Sequence, residues 1–89
     1  MPEVAFVVID PLLFAPEYPV ESVRRATAFL DIAPDEEIFI LAICTIPAAP
    51  AEPTANFLAP IAVGRDCRRG AQVVLHDSGF DARIRFMGG

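Results

Sequence analysis

Two continuous apolar runs dominate the hydrophobic pattern of the chain. Residues 4–9 are rich in valine and are followed by Asp10 and Pro11, whereas residues 38–46 form a longer run that ends at Pro47. Runs of β-branched and bulky apolar residues with proline at their ends are typical of buried strands. The pattern therefore predicts a strand buried on both faces at residues 4–9 and a buried central strand at residues 38–46.

Between these runs the apolar positions change to a helical spacing. Pro34 disfavours helical geometry at Ala33, and Glu21 lies where an acidic side chain stabilises the first turn of a helix. These signals predict one short helix over residues 20–30, which would draw its stability from packing against the strands. The regularly spaced apolar or small residues of this helix are Val20, Val23, Thr27 and Leu30.

A basic turn joins two further apolar runs in the second half of the chain. The first run, residues 57–63, includes Pro60, which removes a backbone donor and suits an edge or a bulge. The second run, residues 73–75, follows a turn that contains arginines and Gly70. Two strand-like runs with a glycine-containing turn between them predict an antiparallel pair.

The end of the chain alternates apolar and polar residues with period two over residues 82–86, as a half-exposed edge strand does. Outward arginines at such an edge oppose pairing with other sheets. With this strand, the sequence predicts five strands and one helix. The predicted fold class is mainly β: a small antiparallel, partly open, barrel-like sheet with one short helix.

The composition predicts more apolar surface than one small domain can hide. The chain has 89 residues, of which 54% are hydrophobic and 21% are charged. Enough apolar area is present to offset chain entropy, so the chain is expected to fold. A domain of this size buries only about 60 to 70% of its unfolded surface. We therefore expect another chain, or a missing part of the protein, to cover some of the apolar surface.

The charge balance argues against direct binding to nucleic acid, and the length of the apolar runs argues against a membrane partner. The net charge is −5, and the seven cationic side chains are all arginines. A phosphate backbone requires clustered cations, whereas an acidic surface suits basic protein partners. The longest apolar run is far shorter than the ~20 residues of a membrane helix. Residues 1–3 lack the basic start of a signal peptide, so a cytoplasmic protein is expected.

Candidate catalytic chemistry is sparse. Cys44 lies within an apolar run and is expected to be buried, whereas Cys67 lies beside arginines in the basic turn. His76 and Asp77 are adjacent, so on one strand they would point to opposite faces. No spacing of these residues matches a metal or cofactor site, and the sequence predicts no enzyme activity, metal or cofactor. A small hydrolase that uses Cys67 or His76 stays open as an alternative.

The basic turn itself has two interpretations. Gly64 and Gly70 flank residues 65–69, and glycine permits the positive φ angles of a hairpin loop. The spacing is not that of a phosphate-binding loop. The turn is interpreted structurally as a hairpin loop, and functionally as a surface that binds an acidic protein segment.

Several blocks of sequence occur in the same order as in a known family. The early blocks are residues 5–11 (AFVVIDP), 13–14 (LF) and 16–18 (PEY), and the later ones are residues 54–61 (TANFLAPI), 68–75 (RRGAQVVL) and 77–78 (DS). Together, over residues 3–77, they resemble the flagellar assembly factor FliW. The resemblance implies a single FliW-like domain over residues 1–89, which lacks the N-terminal portion of the family.

The resemblance also implies a function. A FliW-like protein is expected to be a non-enzymatic, protein-binding regulator without a cofactor. Two mutually exclusive partners are implied: flagellin, and CsrA, a small RNA-binding dimer that represses translation of flagellin messenger RNA. Sequestration of CsrA would then control flagellin translation. A structural or oligomerising β subunit of another complex stays open as an alternative.

Candidate binding residues are the positions that carry the resemblance, together with nearby acids. A role in maintaining the fold is favoured for Pro60 and Asn56. The unpaired edge of the strand at residues 4–9 predicts self-association. The candidate protein-binding residues are Asp10, Glu17, Thr54, Asn56, Arg69, Gln72 and Asp77.

Overall fold

A computed structural model of the chain describes residues 7–48, 51–76 and 78–86. Its main feature is an antiparallel sheet of six strands, accompanied by one short α-helix and two 3-10 helices. The strands are β1 (Val7–Ile9), β2 (Ile38–Thr45), β3 (Thr54–Ala55), β4 (Ile61–Gly64), β5 (Gly70–Gln72) and β6 (Ile84–Arg85). The helix is α1 (Val20–Ala26), and the 3-10 helices are Pro11–Leu13 and Ala28–Leu30.

Strand β2 is the centre of the sheet. The strand order is β5-β4-β2-β3-β6, and β1 also pairs with β2. The N–H groups of Asn56 and Arg65 donate to the carbonyl oxygens of Ile43 and Glu37, each at 2.9 Å. Glu37 and Ile43 are an even number of positions apart, so their carbonyl groups point to the same side of β2. Strands β3 and β4 therefore lie one after the other along that side. Strand β1 lies along the other side.

The core lies between one face of this sheet and the segment that contains α1. Tyr18, Phe57 and Phe80 form an aromatic cluster, with ring centroids 5.0 to 5.9 Å apart. Val23 of α1 is fully buried. On β2, alternate residues face this core, as expected for a strand with one covered face. The buried core residues are Ala15, Tyr18, Val23, Ile40, Ala42, Cys44, Ala55, Phe57, Ala62 and Leu75.

The fold class predicted from the sequence is confirmed, because the described sheet is antiparallel, open and accompanied by one short α-helix. The predicted central strand is confirmed as β2, which ends at Thr45. The burial of Cys44 is also confirmed. Among the described residues there are six strands where five were predicted, because short pairings with β2 and β6 make a separate strand of Thr54–Ala55.

Three predicted boundaries were wrong for local reasons. The α-helix ends at Ala26, where the Thr27 hydroxyl donates to the Val23 carbonyl, and a 3-10 helix follows. Residues 57–58 are not a strand, because the Asn56 side chain accepts the N–H groups of residues 58 and 59 and turns the chain. In the hairpin, the strand is Gly70–Gln72, and residues 73–75 lie outside it.

The prediction that residues 4–9 form a strand buried on both faces was wrong in its described part. Within β1, Val7 is 53% exposed and Val8 is 40% exposed. The strand pairs with β2 alone among the described residues, so it is an edge strand of this part of the sheet. Residues 4–6 lie outside the described residues. The last predicted strand is reduced to Ile84–Arg85, with Arg85 exposed as expected.

Candidate protein-binding surface

The basic turn between β4 and β5 binds an acidic group of the same chain. The Glu36 Oε2 atom accepts the N–H groups of Asp66 and Cys67, each at 2.9 Å. The hydrogen bond from the Cys67 N–H is the main reason why the pKa of Glu36 lies below its usual value. A Cβ atom on Gly64 would lie 2.6 Å from Cys67 Sγ and 2.7 Å from Glu36 Oε2. Glycine at position 64 therefore leaves the room that this contact needs.

Arg69 fastens the same turn to the segment that follows α1. Its Nε donates to the Leu30 carbonyl at 2.7 Å, and its Nη2 donates to the Asp31 carbonyl at 3.0 Å. Arg24 makes a similar link, because its guanidinium donates to the Glu36 carbonyl at 2.6 Å. These bonds connect residues far apart in sequence, and give Arg69 a role in holding the fold.

Two other candidate residues also bond within the chain. Gln72 Nε2 donates to the Ala59 carbonyl at 3.0 Å, and the Asn56 side chain closes the turn at residues 58–59. Thr54 lies in β3 opposite Arg85. The structure brings Asn56 and Gln72 together, since both bond to the backbone of Ala59, and it pairs Thr54 with Arg85 instead. The fold-maintaining role that the sequence favoured for Asn56 agrees with its contacts.

The acidic candidates lie elsewhere. Asp10 caps the first 3-10 helix, where its Oδ1 accepts the Leu12 N–H at 2.9 Å. Glu17 is exposed in the turn before α1. Asp77 lies outside the described residues. Of the candidate residues, Asp10 is the one that also lines a described cavity.

The sheet presents an apolar outer face, on the side opposite the core. Cross-strand pairs place its residues together, since Val8 is opposite Ile43, Leu41 is opposite Ile61, and Phe39 is opposite Val63. Phe39 is 47% exposed, and the other members are exposed or half-buried. An exposed apolar patch of this kind is typical of a protein-binding surface. We call it the outer face: Val8, Phe39, Leu41, Ile43, Ile61 and Val63.

A groove adjoins the outer face at the beginning of β2. Its volume is about 540 Å³, and its lining is mostly apolar with two carboxylates. Sequence reasoning missed this groove because it named Asp10 without its neighbours from β2 and β4. A second cavity, of about 520 Å³, lies between α1 and residues 31–34. The residues that line the first groove are Asp10, Leu12, Glu37, Ile38, Phe39, Ile40, Leu41 and Val63.

The hydrolase alternative gains no support from the described contacts. Cys67 lies beside Glu36 and Gly64, and its Sγ accepts the Arg69 N–H at 3.5 Å. His76 is exposed and makes no hydrogen bond with the described residues. Within residues 7–48, 51–76 and 78–86, no three His, Cys, Asp or Glu side chains are grouped as metal ligands. None of the described helices is long and apolar enough to cross a membrane.

Fold and surface together define a small, open β-sheet domain with an exposed apolar face and an acidic groove. Comparison with known proteins identifies its family. The model of the FliW protein family matches residues 1–86, and the chain belongs to that family. This match covers nearly the whole sequence.

Individual relatives agree with the family match. The flagellar assembly factor FliW of Caldanaerobacter subterraneus subsp. tengcongensis is 39% identical over 74 residues, which are 83% of this chain and 49% of the relative. The protein of the same description from Bacillus subtilis is 34% identical over 79 residues, which are 89% of this chain and 55% of the relative. The chain therefore spans about half the length of the curated relatives it matches.

A solved structure supports the fold. The crystal structure of a flagellar assembly factor FliW superposes with a TM-score of 0.79 at 27% sequence identity. The superposition covers 99% of this chain and 61% of the crystallised one. The open antiparallel sheet is therefore shared with the family.

Proposed function

We propose that this chain is a flagellar assembly factor that acts by binding other proteins. In this proposal it sequesters a CsrA-type RNA-binding regulator and also binds flagellin, and thereby controls flagellin translation. It works in the cytoplasm, without enzyme activity or a cofactor, and does not contact nucleic acid directly. The observation that carries the proposal is the match of residues 1–86 to the FliW family.

The described surface supports a protein-binding role. The outer face exposes apolar side chains such as Phe39 and Val8, whose burial by a partner would be favourable. The net charge of −5 suits a basic partner, because opposite charges speed the encounter and favour the correct orientation. The basic turn is less suited to an acidic partner, since Glu36 already accepts two of its N–H groups.

Co-purification with each partner tests the proposal. Tagged CsrA and tagged flagellin are each incubated with the folded protein, and the bound fraction is measured at several salt concentrations. We expect both partners to retain the protein, and we expect each partner to reduce binding of the other. If the folded protein is retained by neither partner, the proposed function is wrong.

Charge reversal tests whether the acidic candidates contact a partner. Glu17→Lys and Asp10→Lys each raise the net charge by two, and so does the control Asp81→Lys at an exposed residue before β6. A charge reversal at a residue that contacts the partner should weaken binding more than the control substitution does. Equal binding by all three folded variants would remove Asp10 and Glu17 from the binding surface.

A further inference from the structure

The two sides of β2 are paired to different extents. On one side, β3 and β4 together pair with residues from Ile38 to Thr45. On the other side, β1 pairs with Ala42, Ile43 and Cys44, and this pairing ends at the Ile9–Ala42 pair. The first half of β2 therefore has a paired side and, among the described residues, a side without a strand.

The backbone alternation defines what this side offers. Glu37 and Ile43 direct their carbonyl groups to β4 and β3. Ile38 and Ile40 are each an odd number of positions from Glu37 and Ile43. Their N–H and C=O groups therefore point to the side without a strand. The groove lies along this side, since both isoleucines line it.

The charged side chains that line the groove are both acidic. Its lining includes the carboxylates of Asp10 and Glu37 and no cationic side chain. Asp10 Oδ1 accepts a hydrogen bond from the Leu12 N–H. Glu37 Oε2 accepts one from the Arg65 guanidinium at 2.9 Å. Each carboxylate has a second oxygen for a partner's cation. The remaining lining is apolar.

We propose that this groove binds an extended segment of a partner protein that carries alternating apolar and basic side chains. The segment lies along Ile38–Leu41 and continues the line of β1, so that its backbone pairs with β2. Its apolar side chains contact Phe39 and Leu12, and a lysine or arginine reaches Asp10 or Glu37. Strand addition of this kind takes affinity from backbone hydrogen bonds and specificity from the alternate side chains.

The chemistry selects this occupant over an acidic or helical one. An acidic segment would be repelled by the carboxylates of Asp10 and Glu37. A helix satisfies its own backbone groups and would leave those of Ile38 without a partner. The inference rests on the proposed function in that it takes the occupant to be a protein, but it does not require that protein to be CsrA or flagellin.

A defined peptide tests the groove. The probe is a blocked decapeptide of alternating lysine and valine, and its affinity for the whole folded chain is measured by fluorescence anisotropy. Two matched peptides serve as controls: one has glutamate in place of lysine, and the other has N-methyl groups on alternate residues, which remove backbone donors. We expect each control peptide to bind at least tenfold more weakly than the probe.

Two substitutions of equal charge locate the binding. Phe39→Arg places a cation in the groove, whereas Phe29→Arg adds the same charge at a side chain that is 66% exposed and outside the groove lining. We expect Phe39→Arg to lower the affinity for the lysine–valine peptide at least tenfold. We expect Phe29→Arg to change this affinity less than twofold. Asp10→Asn keeps the side-chain oxygen that accepts the Leu12 N–H but removes the negative charge. This variant should lower the affinity for the peptide about threefold. Circular dichroism confirms that each variant is folded.

Each contrary result has a defined meaning. No binding of the lysine–valine peptide, equal binding of the glutamate peptide, or equal loss in Phe39→Arg and Phe29→Arg would overturn the proposal. A change in sedimentation by Phe39→Arg without a change in peptide affinity would assign the groove to a second copy of the chain, and would also overturn it. If the wild type binds CsrA and flagellin but does not bind the lysine–valine peptide, the groove proposal fails and the proposed function stands. If the peptide binds as expected but neither partner does, the proposed function fails and the groove proposal stands.

Discussion

The hydroxyl of Tyr18 donates a buried hydrogen bond to the backbone carbonyl of Phe57, which lies 39 residues further along the chain. The two rings also meet edge to face, with centroids 5.7 Å apart. Both residues are nearly inaccessible, with 3% and 1% exposure. This contact joins the turn before α1 to the turn between β3 and β4. Burial of the Tyr18 side chain raises its pKa to about 12.

Removal of the Tyr18 hydroxyl should destabilise the fold. Tyr18→Phe keeps the ring and leaves the Phe57 carbonyl buried without its donor, which costs about 1–2 kcal/mol of unfolding free energy. Urea denaturation followed by circular dichroism measures the loss. Phe29→Leu, at an exposed ring, is the control and should change the midpoint little. Equal midpoints for Tyr18→Phe and the wild type would show that the hydrogen bond contributes nothing net.

The same contact predicts a loss of stability at high pH. The folded pKa of Tyr18 is about 12, above the ordinary value of 10.0. A raised folded pKa means that the contribution is complete below pH 10.0 and is lost as pH rises toward 12. The wild type should therefore lose more stability between these pH values than Tyr18→Phe does. Urea midpoints across that range measure the difference, and parallel curves would contradict it.

Glu36 should control the order of the basic turn. Glu36→Gln weakens the acceptor for the Asp66 and Cys67 N–H groups, so these two amides should exchange hydrogen several-fold faster. Glu37→Gln is the matched control, because Glu37 pairs with Arg65 through exposed side chains. Amide exchange measured by NMR distinguishes the two variants. Unchanged exchange in Glu36→Gln would remove the carboxylate from this role.

The lowered pKa of Glu36 gives this effect a pH dependence. Because the folded pKa lies below the ordinary value of 4.5, the stabilisation is complete above that value and is lost as pH falls through the folded pKa. Glu36→Gln cannot titrate, so protection of the two amides should no longer depend on pH in the acid range. The wild type and Glu37→Gln should both lose protection as the solution becomes acidic. The same pH dependence in all three proteins would contradict the assignment.

The sequence predicted elements best where one local signal dominated. The run that becomes β2 has enough bulky apolar residues to identify a strand without its neighbours. At Phe57 this local signal was misleading. An aromatic residue favours a strand, but the Asn56 side chain turns the chain there, and the Phe57 ring is buried. The contact of Glu36 with residues 66–67 spans 30 and 31 positions, so no local pattern identifies it. The groove combines residues from three separate segments and was missed for the same reason.

Arg68 has a left-handed backbone conformation whose cost can be measured with two substitutions. Its φ angle is 59°, a left-handed value that glycine adopts freely and other residues adopt at a cost. Arg68→Gly should raise the unfolding free energy by about 1 kcal/mol relative to Arg68→Ala, which also loses the guanidinium but keeps the strained backbone. Urea denaturation of the two variants isolates the backbone effect. A less stable glycine variant would show that the turn relaxes in solution.

Self-association through β1 is the last expected property. We propose that the outer edge of β1 pairs with a second copy of the chain, because Val7 and Val8 are exposed and the strand carries no charge that would oppose pairing. The opposite end of the sheet differs, since β6 carries the exposed Arg85. Sedimentation velocity over a concentration series should show a rising average mass for the wild type. Val8→Lys should shift association to at least tenfold higher concentration, while Phe29→Lys, on another exposed apolar residue, should not. If the wild type stays a monomer throughout the series, β1 is not an association edge, and the exposed valines must be explained by a different partner.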